Sequence, residues 1–166
     1  RIAAGGLMLT PQLVDLRAVV QVAQDAASGD AAVKGLALDS FHGDVPVWVT
    51  GDPGRLQQAV SNLLSNASKF TPAGGRVEVS LDTADRQARL RVSDTGEGMS
   101  PAFLPFAFER FRQQDSTTTS AHHGLGLGLY VVRHVIGHHG GVGGAESPGQ
   151  GRGSRAGRQV RLRGRR

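Results

Sequence analysis

Three groups of residues have the types and spacing to do chemistry. The first is Asp94-Thr95-Gly96-Glu97-Gly98-Met99. An ionised Asp only accepts hydrogen bonds. Asp94 therefore suits a ligand that offers an N–H donor, such as the exocyclic amine of adenine. Gly96 and Gly98 permit positive φ and a close approach of the ligand to the backbone. Asp-Thr-Gly is also a common exit from a strand into a turn, so this segment alone decides nothing. The second group is Asn62, Asn66 and Lys69, at i, i+4 and i+7. On a helix these form one narrow stripe. Two amides and an ammonium in line offer carbonyl oxygens to a hard cation and a point charge to phosphate. A solvent-facing polar stripe is the commoner explanation of such a trio. Asn is poor in a helix interior, however, and two of them four apart favour function. The third group is Gly124-Leu125-Gly126-Leu127-Gly128-Leu129. Glycines opening a helix expose backbone N–H groups at the positive end of its dipole, a place for phosphate. Leu129 stands at the third Gly position of the dinucleotide fingerprint, and no Gly-Lys-Ser/Thr follows, so neither that motif nor a P-loop is present.

The elements that must position these groups can be read in order. Leu13 to Ala27 has helical apolar spacing through Leu13, Leu16, Val20 and Ala23, and Gly29-Asp30 ends it. Residues 35–39 and 46–50 read as short strands. Asp52 and Pro53 are a strong helix start. The helix should run to about Phe70, with Leu56, Ala59, Val60, Leu63, Leu64, Ala67 and Phe70 as its apolar stripe. Residues 76–81 and 88–93 predict an antiparallel hairpin around 82–86, which delivers Asp94 at its end. Pro101 to Arg110 reads as a short helix. Phe106, Phe108 and Phe111 crowd together as core residues do. Residues 113–123 have no apolar content and are predicted to be mobile. His122 and His123 lack a third metal ligand nearby. Tyr130 to His139 is a helix with Val131, Val135 and Ile136 on its apolar side.

Composition narrows the classes. The 166 residues suit one domain with one core. No apolar run is long enough to span a membrane, and no signal-peptide pattern opens the sequence. Without cysteine, neither disulfides nor thiolate metal sites can form. The net charge of +5 misleads, because seven of the 19 basic residues fall in residues 152–166 with no acid. The remainder carries 12 basic against 14 acidic residues. An Arg-rich end can touch phosphates, but a solvated or frayed tail is commoner, and no nucleic-acid partner is expected.

The order of segments resembles the catalytic, ATP-binding domain of sensor histidine kinases, within the Bergerat-fold ATPases. The motifs are Asn62-Leu63-Leu64-Ser65-Asn66-Ala67-Ser68-Lys69-Phe70-Thr71, then residues 94–99, then Phe108-Glu109-Arg110-Phe111, then residues 124–129. The resemblance covers about residues 13–147. It implies an α/β two-layer sandwich, with helices on one face of a mixed sheet and a mobile ATP lid. Residues 1–12 would be the exit from the preceding dimerisation helices, residues 13–163 the catalytic domain, and residues 152–166 a disordered Arg-rich tail. The resemblance also assigns roles. Asn66 would hold Mg²⁺, Asn62 would support metal and phosphates, and Lys69 would reach the phosphates. Asp94 would accept from the adenine amine, with Gly96, Gly98 and Met99 shaping the pocket. Phe108 and Phe111 would anchor a lid of residues 112–123. Gly124, Leu125, Gly126, Leu127, Gly128 and Leu129 would meet the phosphates. The ligands implied are ATP and Mg²⁺. The partners implied are a phosphoacceptor dimerisation domain of the same full-length protein and a downstream receiver domain. The full-length protein would be a homodimer, whether membrane-anchored or soluble, with this domain a monomer in the cytoplasm.

Family members that hydrolyse ATP carry a Glu base where this chain has Asn62, and an amide cannot take that proton. Transfer to a histidine elsewhere fits better. None of the six His here is followed by Glu, as the family's phosphorylated His commonly is. Some positions depart from the family pattern. Leu125 replaces a Thr or Ser, Ser120 stands where Arg is frequent, and His123 replaces a Gly. Residues 142–145 make a weak strand, since Gly is poor in strands. The final strand, about residues 159–163, is expected to be short or absent. An alternative reading is therefore a nucleotide-binding regulatory module that has lost transfer activity.

Overall fold

The computed structural model describes residues 2–4, 7–111, 127–146 and 156–164. Strands β1 (Ile2–Ala4) and β2 (Leu7–Leu9) pair antiparallel. This is extended chain where the sequence suggests the end of a helix. Strand β3 (Gln12–Asp15) leads into helix α1 (Leu16–Lys34). Then come β4 (Ala37–His42), β5 (Trp48–Gly51) and helix α2 (Pro53–Phe70). The hairpin β6 (Arg76–Ala84) and β7 (Gln87–Asp94) follows, then helix α3 (Gly128–His138), β8 (Val142–Glu146) and β9 (Ala156–Arg163).

Five strands form a sheet in the order β4-β6-β7-β9-β8. The β4–β6 pair is parallel and the others are antiparallel. Strands β3 and β5 form a separate antiparallel pair. Strict alternation builds the core. Val77, Val79 and Leu81 of β6 are buried, as are Ala88, Leu90 and Val92 of β7, while their neighbours Glu78, Ser80 and Arg91 are not. These residues share one cluster with Val20 of α1, Leu56, Leu63 and Leu64 of α2, and Val132 and Ile136 of α3. The result is the expected two-layer sandwich on a mixed sheet.

Helix α1 differs from its sequence reading at both ends. Residues 13–15 are extended because β3 pairs with β5, Leu13 opposite Thr50. The Asp15 carboxylate then caps the helix, accepting from the N–H groups of Arg17 and Val47 at 3.0 Å each. At the far end the helix passes through Gly29-Asp30 and stops at Gly35, which takes a left-handed φ of 68°. Tertiary packing overrides the weak propensity of Gly29. Ala31 is buried, and Lys34 Nζ donates to the carbonyls of Ser68 and Lys69 at 2.7 and 3.1 Å. Those are the last carbonyls of α2, where a cation suits the helix dipole.

Helix α2 follows its local signals. Asp52 caps it, accepting from Arg55 N–H at 3.0 Å on one oxygen and from Thr10 N–H at 2.9 Å on the other. These contacts hold the Asp52 carboxyl below its ordinary value of 3.8. The Thr10 N–H is the largest cause. Partial burial opposes it, and the N–H groups of Arg55 and Gly54 and the Arg55 charge add to it. Removing the cap in Asp52→Ala is expected to cost about 1 kcal/mol at pH 7. A carboxylate with a depressed folded pKa stabilises fully above its unfolded value, and that stability fades as pH falls through the folded value. Melting curves of wild type and Asp52→Ala should therefore differ at pH 7 and converge as the pH falls below 3.8.

Two further segments depart from expectation. Residues 101–110 form turns around a single 3-10 turn, Leu104–Phe106, because Pro105 has no N–H to continue a helix. Of the three clustered Phe, only Phe108 is buried, while Phe106 and Phe111 are exposed. At the C-terminal end, β8 and β9 are both formed. β9 pairs with β7 over eight residues, from Gln87 opposite Arg163 to Asp94 opposite Ala156. The Arg-rich segment at 156–163 is therefore an interior strand of the sheet rather than a frayed tail. Charged side chains do not exclude it, since Arg161 stays exposed while Leu162 is buried. Among the described residues no helix is long and apolar enough to cross a membrane.

Candidate functional site

The candidate residues lie on α2 and at the end of β7, and the loop after β7 touches the end of α2. On α2, Asn62, Asn66 and Lys69 are partly buried beside the fully buried Leu63 and Ala67. Among the described residues neither amide side chain has a hydrogen-bond partner. Lys69 Nζ lies 5.3 Å from the centroid of the Phe70 ring. Two amides without helix partners are thus free to bind something else.

Asp94 is the last residue of β7 and is 1% exposed. Its loop is fixed by two bonds to β6, Thr95 N–H to Arg76 O at 3.1 Å and Arg76 N–H to Thr95 Oγ1 at 3.0 Å. It is also pressed against α2. A Cβ on Gly96 would lie 2.3 Å from the Phe70 carbonyl oxygen and 2.8 Å from Asp94 Oδ1. Gly96, two residues after Asp94, thus lies against the C-terminal end of α2, the helix that bears Asn62, Asn66 and Lys69. Gly98 takes φ +77°, a conformation L side chains rarely adopt. Met99 packs partly buried against the core. Gly96→Ala must push the loop off α2. It is expected to weaken ATP binding about ten- to thirtyfold, measured by calorimetric titration, with a lower melting temperature.

The third group is only partly described, because Gly124, Leu125 and Gly126 lie outside the described residues. Gly128 is the first residue of α3, and among the described residues no side chain caps the helix at Leu127. The first N–H groups of any α-helix have no partner within it. Leu129 is buried in the core. Phe108 is also core, and Phe111 is 63% exposed with φ +59°. The lid reading of residues 112–123 lies outside the described residues.

One residue beside Asp94 and one at the opposite end of α2 escape sequence reasoning. Arg158 on β9 places Nη1 2.5 Å from Asp94 Oδ2, with both side chains nearly inaccessible. Gly96 N–H donates to the other oxygen, Oδ1, at 2.9 Å. The available signal was the period-two spacing of Arg158 from Leu162, which puts the Arg on the apolar face. The second is His139, whose Nε2 accepts from Asp52 N–H at 2.9 Å while Nδ1 lies 2.7 Å from Val135 O. It ties the end of α3 to the start of α2. No local pattern marks it.

Residues 51–163 match the family described as histidine kinase-, DNA gyrase B- and HSP90-like ATPases. The chain belongs to this family. Within it, this ATPase domain is of the sensor-histidine-kinase kind. It is 37% identical over 157 residues to the sensor protein GacS of Pseudomonas syringae pv. syringae, covering 91% of this chain and 17% of GacS. It superimposes on a mycobacterial sensor histidine kinase, MprB, with a TM-score of 0.82 and 30% identity, covering 93% of this chain and 99% of that one. It also superimposes on full-length ShkA in complex with AMPPNP, with a TM-score of 0.79 and 30% identity, covering 98% of this chain and 32% of ShkA. The chain spans from 10% to 24% of the length of the curated relatives it matches. Those relatives are named as sensor proteins and signal transduction histidine kinases, one of them hybrid.

Proposed function

We propose that this domain binds Mg-ATP and transfers the γ-phosphoryl group to a histidine on a separate dimerisation domain of the same full-length protein. The observation that supports this reading is the contact of Gly96, two residues after the buried Asp94, with the Phe70 carbonyl at the end of α2, the helix that bears Asn62, Asn66 and Lys69. One end of that site suits a base amine and the other a polyphosphate. Asn66 fits a hard cation, because it offers a neutral carbonyl oxygen with no competing partner among the described residues. Mg²⁺, when bound, would neutralise charge on the phosphates. Asn62 would support the same region, and Lys69 would meet the phosphates as a point charge.

In phosphoryl transfer the protein mainly positions groups and balances charge. The lone pair of the acceptor imidazole forms the N–P bond. The bond from γ-phosphorus to the bridging oxygen breaks, and its electrons leave on ADP. The proton on the other ring nitrogen leaves to solvent or to a base beside the acceptor. Asn62 cannot act as a base toward water, which favours transfer over hydrolysis. The receiver domain of a response regulator is the next acceptor, and the domain works in the cytoplasm, where ATP is.

The test is to mix this chain with ATP, with and without a separate dimerisation domain. The chain alone is expected to bind ATP and phosphorylate nothing. Phosphohistidine should form only when the second domain is added. Appreciable autophosphorylation of the chain alone would sink the proposal. The alternative, a regulatory nucleotide-binding module, draws on Leu125 and on a degraded C-terminal end. The formed strand β9 answers the expected loss of the last strand, while residues 149–154 lie outside the described residues.

A further inference from the structure

Arg158 has no part in the phosphoryl transfer above, yet its side chain is 3% exposed and bonded to Asp94. The register of the sheet explains how it gets there. Val92 pairs with Arg158 and Asp94 with Ala156. Same-face residues two apart on neighbouring strands are diagonal neighbours within reach of a long side chain. Arg158 therefore stands on the inward face with Val92, Asp94 and Leu162, all buried.

A structural role explains this poorly. A buried ion pair is often no more stabilising than apolar residues of similar volume. Here the pair is also incompletely satisfied, because Arg158 Nε is buried with no hydrogen-bond partner among the described residues. A guanidinium carries five N–H donors in a rigid fork, and a buried unmet donor is costly. Asp94, for its part, still has accepting capacity. Oδ1 holds Gly96 N–H and Oδ2 holds Arg158, whereas a carboxylate has about four lone-pair sites. At one buried point the chain thus offers an acceptor beside a donor. Adenine offers the complement, an exocyclic amine flanked by ring nitrogens that accept.

We propose that Arg158 is a second base-reading residue, donating from its buried guanidinium to the ring nitrogen beside the amine that Asp94 receives. It also positions the Asp94 carboxylate. The proposal rests on the reading of Asp94 as the adenine acceptor.

The test is calorimetric titration of ATP, 1-deaza-ATP and 7-deaza-ATP into wild type, Arg158→Lys and Arg158→Leu. One deaza analogue is expected to bind wild type about tenfold more weakly than ATP, the loss of one hydrogen bond from a charged donor. Arg158→Leu should bind ATP about tenfold more weakly and no longer distinguish that analogue. Arg158→Lys should fall between. A purely structural Arg would leave the ranking of analogues unchanged. Should Arg158→Leu fail to fold, the wild-type ranking and Arg158→Lys decide alone. Equal binding of all three triphosphates by wild type overturns the role of Arg158 while leaving ATP binding intact. Tighter ATP binding by Arg158→Leu also overturns it, since the Arg would then be a competitor of the base. Wild type that binds none of the three overturns the adenine reading of Asp94 and this inference with it.

Discussion

Replacing Asp94 by Asn is expected to weaken ATP binding by about a hundredfold, and to lower thermal stability as well. The two effects have different causes. In binding, an acceptor-only carboxylate becomes an amide whose NH₂ can face the adenine amine, donor against donor. A hydrogen bond to a charged group contributes about 1.5–3 kcal/mol. Each 1.4 kcal/mol or so is tenfold in Kd. In stability, the substitution leaves the Arg158 guanidinium buried without its counter-charge. Removing one partner of a buried pair costs about 3–5 kcal/mol. A binding defect could therefore be blamed on a loosened fold. The double variant Asp94→Asn/Arg158→Leu separates the causes, because the residues are in contact and their effects should not add. It is expected to regain most of the melting temperature and none of the ATP affinity. Recovery of both together would show that Asp94 acts on the nucleotide only through the fold.

What could be read from the sequence follows how local each signal is. Helix α2 was legible from end to end, since Asp52 and Pro53 mark its start and its apolar spacing is dense. The hairpin was legible for the same reason. Its turn proved tighter than expected, with Asp85 and Arg86 both at positive φ, the requirement of a two-residue turn. The length of α1 was not legible, because Lys34 is held by the end of α2, 34 residues away. The final strand was hidden by its own arginines. Their charge suggested a tail, while the pairing that makes them a strand comes from β7. The site shows the same division. Asp94 and the amide stripe each stood out by residue type. Gly96 lies against Phe70 only in the assembled fold, and Arg158 reaches Asp94 only through the β7–β9 register. Contacts of this kind exist only once the sheet is assembled.

Asn66→Ala is expected to separate function from stability in the opposite direction. Asn is a weaker helix former than Ala by about half a kcal/mol or more. Asn66 sits inside α2 with no hydrogen-bond partner among the described residues. The variant should therefore melt at the same temperature as wild type or one to two degrees higher, by the usual conversion of about 2–4 °C per kcal/mol for a chain of this size. Binding of ATP without Mg²⁺ should change little, because Asp94 and its loop are untouched. The strengthening or weakening of ATP binding by Mg²⁺ should disappear. Transfer to an added dimerisation domain should fall by about a hundredfold or more, the scale of losing a group that organises the reacting phosphates. A residue that lowers the intrinsic stability of its helix, and whose removal costs only the metal response and the transfer, is held there by function. If instead Asn66→Ala lost more than about 1 kcal/mol of stability and kept its Mg²⁺ response, the amide would be a structural element of α2. The stripe of Asn62, Asn66 and Lys69 would then be a solvated helix face, and the polyphosphate would have to be placed elsewhere.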